Sequence, residues 1–197
     1  MKRSEGRKLV ILGIVLVVID QVVKVLVKTN MGLGEHFDVI GNWFKILFVE
    51  NEGMAFGWAF GGKVGKLLLS IFRICLCTAL VLWIRNMCRK NAAARRDGQA
   101  APIPAGVLVG LTLITAGAFG NIIDSLFYGV IWDYAPFLFG KVVDMFYFPL
   151  WTWPDWVPLL GGNIFFEPVF NFADSCVTVG AFYLLLFQWK FFVKSDD

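Results

Sequence analysis

Two aspartates stand in apolar surroundings: Asp144 in Val142-Val143-Asp144-Met145-Phe146, and Asp174 in Phe170-Asn171-Phe172-Ala173-Asp174-Ser175, at the mouth of an apolar run. An ionised aspartate at bilayer depth costs roughly 2.5–3.5 kcal/mol on insertion scales, so each needs a reason to be there. Two carboxyl groups brought together split their titrations, one acting as acid and the other as base, and such a pair activates water without a metal. The chemistry this pairing points to is that of a membrane-embedded aspartyl peptidase. For either acid alone, a simple ion pair is an equally good account.

Other polar residues fall at helical spacing. Asp20 and Lys24 are four apart with the acid N-terminal, the favourable order for an ion pair, and a neutralised pair holding the first helix is the preferred reading. Asn121 and Asp124 are three apart and share a face with Gly117, which permits close helix approach. Asn171 and Asp174 also share a face. Asn121 and Asn171 suit either interhelical hydrogen bonding or substrate contact. Arg73 either snorkels to headgroups or binds a ligand, and Asp124 is a candidate partner for Lys24 or Arg73.

The elements that must position these groups are membrane helices. The chain has 197 residues, 58% hydrophobic and only 17% charged, with mean hydropathy +0.69; a soluble domain carries about 25% charged residues. Runs of spanning length, roughly 20 residues, fall at about 9–27, 67–84, 104–126 and 170–192. The first follows Lys2, Arg3, Arg7 and Lys8 as a signal peptide would, but Asp20 and Lys24 interrupt it and no small-residue cleavage site follows, so it reads as a retained helix. Eleven of the 18 Lys and Arg fall on one predicted side, at 2–8, 85–96 and 190–194. Both termini are therefore expected in the cytoplasm, with loops 28–66 and 127–169 outside. On that topology Asp20, Lys24, Arg73, Asn121, Asp124, Asp144, Asn171 and Asp174 converge at the outward leaflet, where random placement would scatter them.

The expected fold is an all-α membrane protein of one domain, 1–197, with four transmembrane helices and a small β-rich extracytoplasmic loop region. The stretch Val39–Val49 is β-branched and aromatic, as a strand is. Asn91–Ala105 reads as a mobile cytoplasmic linker, and Trp151, Trp153 and Trp156 as an interfacial aromatic belt. A single histidine, His36, argues against a histidine zinc site or a Ser-His triad. Cys75, Cys77, Cys88 and Cys176 lack metal spacing and are assigned no disulfide or catalytic role. No metal, cofactor or nucleic-acid partner is expected.

Five segments, in order, resemble those of lipoprotein signal peptidases, the bacterial type II signal peptidases. They are Asp20-Gln21-Val22-Val23-Lys24, Asn51-Glu52-Gly53-Met54-Ala55-Phe56-Gly57, Gly117-Ala118-Phe119-Gly120-Asn121-Ile122-Ile123-Asp124, Val142-Val143-Asp144, and Phe170-Asn171-Phe172-Ala173-Asp174-Ser175. The resemblance implies that Asp144 and Asp174 are the catalytic aspartates, that Asn121 and Asp124 line the site, and that Asn51, Asn171 and Ala173 contact or shape it. Gly53 and Gly57 would allow close backbone approach by a loop closing over substrate. The resemblance further implies cleavage of prolipoproteins on the amino side of a diacylglyceryl-modified cysteine in the bacterial inner membrane. No cofactor is implied, and inhibition by globomycin-type cyclic peptides is. Membrane lipids are the surroundings and a monomer suffices. Two departures stand out: Ser125 follows Asp124 where the family commonly has Arg, and the connection between Asp144 and Asn171 is long and Trp-rich. A small proton-coupled transporter using the same carboxylates is the rival, against which stand the one-leaflet clustering and the lack of repeats.

Overall fold

The computed structural model describes residues 4–52 and 62–193. Six helices and five short strands follow in the order α1 (Ser4–Asn30), β1 (His36–Ile40), β2 (Phe44–Asn51), α2 (Gly62–Arg96), α3 (Ala105–Ile123), a π-helical turn (Asp124–Tyr128), α4 (Gly129–Ile131), β3 (Val142–Tyr147), β4 (Trp151–Thr152), β5 (Ile164–Phe165), α5 (Phe172–Phe187) and α6 (Trp189–Val193). Among the described residues, three helical segments are long and apolar enough to cross a membrane: Glu5–Asn30, Val64–Arg96 and Ala105–Ile131. The fourth expected span is the shorter α5, which breaks at Gln188 before α6.

α1 is built with its polar groups inward. Val10, Ile14, Val18 and Val22, spaced by four, are exposed along one stripe, whereas Asp20, Lys24 and Val27 on the opposite face are buried. That polar layer lies between two apolar clusters. One gathers Leu9, Met87, Val107, Leu108, Leu111 and Leu184; the other gathers Val27, Phe48, Tyr128, Val143 and Met145 beneath the sheet.

α3 packs against α5 at backbone distance. A Cβ on Gly117 would lie 2.2 Å from the Ala173 carbonyl oxygen, and one on Gly120 2.5 Å from Asp20 Oδ2, so only glycine lets three helices meet here. Past Ile123 the helix widens into the π-turn, a local unwinding often found at functional sites.

β1, β2 and β3 form one antiparallel sheet in that order. The strand expected across Val39–Val49 is instead a hairpin, because Gly41 takes a left-handed conformation (φ +52°) and turns the chain between β1 and β2. The stretch expected as a linker is also more ordered than its composition suggests. α2 runs on to Arg96, and the buried Asn91 side chain both donates to the Ile103 carbonyl and accepts from the Ile103 N–H, each at 2.9 Å.

Candidate active site

The sheet register puts Asp144 opposite Val49. Asn51, two residues on, presents its side chain on the same face and reaches diagonally, Nδ2 donating to Asp144 Oδ2 at 3.2 Å. β3 ends in a bridge between Phe146 and Phe170, whose backbone groups exchange hydrogen bonds. That bridge delivers the next residue, Asn171, to the other side of Asp144.

Asn171 is the N-cap of α5. Its Oδ1 accepts from Asp174 N–H at 2.9 Å while Asp174 Oδ2 accepts from Asn171 N–H at 3.4 Å, a capping box with aspartate as the N3 acid. The capping geometry leaves Asn171 Nδ2 to donate to Asp144 Oδ1 at 2.6 Å and to Asn121 Oδ1 at 3.1 Å. Asn121 Nδ2 donates to Asp174 Oδ1 at 2.7 Å. Two asparagines from different helices thus tie the two carboxyl groups into one network. Asp174 also sits in the first helical turn, where the helix dipole complements a carboxylate.

Behind this network lies Lys24, fully buried. Its Nζ is 2.8 Å from each of Asp20 Oδ2, Asp124 Oδ2 and Asn121 Oδ1. The expected Asp20–Lys24 pair is therefore half of a triad, and Asp124 takes Lys24 rather than Arg73. Asp20 also accepts from Ala173 N–H at 2.9 Å, which fixes the first turn of α5 on α1. Buried charges of this kind persist only when paired and hydrogen-bonded throughout.

Arg73 meets the cluster from α2. Its Nη1 donates to Ser125 Oγ at 3.1 Å, and Ser125 in turn donates to the Asn121 carbonyl at 3.0 Å. Arg73 is half-buried, with its guanidinium turned to Ser125 inside the cluster. An arginine therefore reaches the Ser125 position through space rather than along the chain.

Burial pushes the Asp144 carboxyl well above the ordinary carboxylate range, to about 7, with the charge of Asp174 adding to the shift. Hydrogen bonds from Asn51 and Asn171, and the charge of Lys24, oppose it. At neutral pH Asp144 can therefore hold or release a proton, the property a general acid or base needs.

Asp20, Lys24, Asn51, Arg73, Asn121, Asp124, Asp144, Asn171, Ala173 and Asp174 are all brought together around this network. Gly53, with Gly57, lies outside the described residues. Sequence reasoning missed Gln21, whose Nε2 donates to Asp124 Oδ1 at 2.8 Å, to Asp20 Oδ2 and to the Gly120 carbonyl, while its Oε1 accepts from Tyr128. An amide one residue from Asp20 inside a membrane helix was the available signal.

A family model described as Signal peptidase (SPase) II matches residues 12–190. A lipoprotein signal peptidase of Porphyromonas gingivalis is 43% identical, over 92% of this chain and 83% of the relative. One of Amoebophilus asiaticus is 38% identical, over 89% and 75%. A solved bacterial membrane enzyme, obtained by the in meso method, superposes with a TM-score of 0.62 at 27% identity, covering 93% of each chain. A second such structure gives the same score at 24% identity, over 96% of this chain and 93% of the other. With most of its length matched by that family model, the chain belongs to the signal peptidase II family.

Proposed function

We propose that the chain removes the signal peptide from diacylglyceryl-modified prolipoproteins, cleaving on the amino side of the lipidated cysteine with Asp144 and Asp174 as catalytic dyad. The observation that carries this is the bridge Asp144–Asn171–Asn121–Asp174, which joins two carboxyl groups from a strand and a helix, neither of them in an ion pair among the described residues.

In the proposed reaction Asp144 is protonated and Asp174 ionised. Asp174 takes a proton from a water as its oxygen adds to the scissile carbonyl carbon, and Asp144 donates its proton to the carbonyl oxygen. The tetrahedral intermediate collapses, the C–N bond breaks, and the cysteine nitrogen takes the proton from Asp174. The re-forming carboxylic acid returns a proton to Asp144. Asn171 and Asn121 hold the two carboxyls in register throughout, and Lys24, paired with Asp20 and Asp124, holds Asn121. Arg73 adds positive charge beside the anionic pair.

The proposed topology has α5 with α6 as the fourth crossing, both ends of the chain in the cytoplasm, and the dyad at the outward leaflet of the bacterial inner membrane. A diacyl anchor worth about 0.8 kcal/mol per buried methylene keeps the substrate at that depth. Globomycin-type cyclic peptides are expected to compete for the same site in a monomeric enzyme.

The test is a gel-shift assay with purified protein, a diacylglyceryl-modified prolipoprotein and its unlipidated precursor, alongside Asp144→Asn and Asp174→Asn. Cleavage of the lipidated substrate alone, absent in both folded variants, is expected. Appreciable turnover in either variant would sink the dyad; no turnover by folded wild type would move the carboxylates to a proton-transport role.

A further inference from the structure

Between β3 and α5 the chain makes an excursion that buries little of its own apolar surface. β4 and β5 pair antiparallel, Trp151 opposite Phe165 and Thr152 opposite Ile164. Trp151 stacks on Phe165 with ring centroids 4.0 Å apart, and Trp153 meets the same ring edge-on. The tip is closed by its own backbone: Gly162 N–H donates to the Trp153 carbonyl at 3.0 Å, Trp153 N–H to Asn163 at 2.9 Å, and Gly161 N–H to Val157 at 2.8 Å. It is therefore an ordered finger.

What the finger presents is apolar. Trp156 is 80% and Leu159 98% exposed, with Leu160 beside them. Leu159 holds a left-handed backbone (φ +66°), where a bulky residue is uncommon. A leucine so placed contributes nothing to packing within the chain. Between Lys141 and Lys190 there is no Lys or Arg at all. The surface that receives the finger is therefore one met without help from a basic patch.

The base of the finger is fixed to the candidate site by aromatic rings. Phe148 stacks on Phe170 at 5.7 Å and Phe166 meets Phe170 edge-on at 6.1 Å. Phe170 immediately precedes Asn171, which bridges the two aspartates. The exposed apolar surface is thus continuous with a segment that enters α5.

We propose that the 149–168 finger is an interfacial anchor whose tip, through Trp156, Leu159 and Leu160, seats in the outward leaflet of the same membrane that α1, α2 and α3 cross. Its occupant is the bilayer itself, since tryptophan at the headgroup level and leucine just beneath it are the chemistry of that depth. The inference rests on the topology proposed above, which puts the 127–169 segment outside.

The test places a nitroxide label at Leu159→Cys in the full chain with Cys75, Cys77, Cys88 and Cys176 replaced, reconstituted in phosphatidylcholine vesicles. Trp156→Cys is a second label site, in case one variant misfolds. A lipid-facing reference is Leu82→Cys and a water-facing one Asp97→Cys. The finger labels are expected to collide with dissolved oxygen several-fold more, relative to a water-soluble nickel chelate, than the Asp97→Cys label. That ratio should not change with salt or with added anionic lipid. Finger labels as open to the nickel chelate as Asp97→Cys would overturn the proposal. So would labels open to water until a diacylated substrate is added, because the occupant would then be the substrate's chains. The readout needs no turnover: a seated finger without cleavage counts against the peptidase reading alone, and a finger in water with cleavage intact counts against the anchor alone.

Discussion

Asn171 holds Asp144 Oδ1 at 2.6 Å with its amide nitrogen while its amide oxygen caps α5 at the N–H of Asp174. One side chain thus links the fold of a helix to the alignment of two acids. The two roles are separable. Asn171→Ser keeps an N-cap, whose loss to alanine costs about 0.5–2 kcal/mol, but cannot span to Asp144. Asn171→Ser is expected to unfold within a few degrees of wild type and to lose about 10²-fold in turnover, the scale of a misplaced catalytic group. Thermal unfolding in detergent and the cleavage assay together check this; turnover near wild type would remove Asn171 from the site.

The carboxyl of Asp144, raised to about 7, gives the proposed reaction a pH signature. If Asp144 supplies the proton, kcat/KM falls as pH rises through about 7. Asn51 donates to this carboxyl and so favours its ionised form; Asn51→Ala should move the falling limb to higher pH. The same shift bears on stability. A carboxyl whose folded value lies above its unfolded one favours the fold while protonated, and that contribution is lost as pH climbs from about 4 through about 7. Asp144→Asn should flatten that dependence in denaturation curves.

Lys24 faces two carboxylates and one amide oxygen with no exposure to solvent. Lys24→Met leaves buried acids without a cation and is expected to cost about 3–5 kcal/mol. Adding Asp20→Asn and Asp124→Asn should recover much of that loss. Unfolding midpoints of the single and triple variants test the triad, and an unaffected Lys24→Met would contradict it.

Gly117 and Gly13 make a matched pair for the helix contact. A methyl at Gly117 meets the Ala173 carbonyl oxygen at 2.2 Å, whereas one at Gly13 meets only Thr112 Cγ2 at 3.7 Å. Gly117→Ala must push α5 and with it Asp174, so a loss of about 1–3 kcal/mol with reduced cleavage is expected. Gly13→Ala should be near neutral by both measures.

Arg73 distinguishes a site role from headgroup contact. Arg73→Ala is expected to lower kcat/KM about tenfold, equivalent to about 1.4 kcal/mol, with a small change in unfolding midpoint. A lipid-facing role predicts no change in cleavage.

The two acids proposed as a dyad, the order of the family's segments and the apolar helices were legible in the sequence because an acid in a hydrophobic run carries its own cost and needs no contact map to stand out. Asp20 with Lys24 was legible as a pair through helical spacing. That Asp124 takes Lys24 rather than Arg73 is a matter of how closely α1 meets α3 at Gly120, which spacing along one helix cannot encode. Gln21 and the buried side chain of Asn91 escaped notice because a neutral polar side chain is costly only when buried, and burial belongs to the packed chain. The sheet register that sets Asn51 beside Asp144, and the bridge from Phe146 to Phe170 that brings Asn171 to its other side, join residues far apart in sequence. The sequence by itself determined which polar groups stand out in apolar surroundings; only the tertiary structure decided which of them share a hydrogen bond, because that depends on how close two backbones can approach.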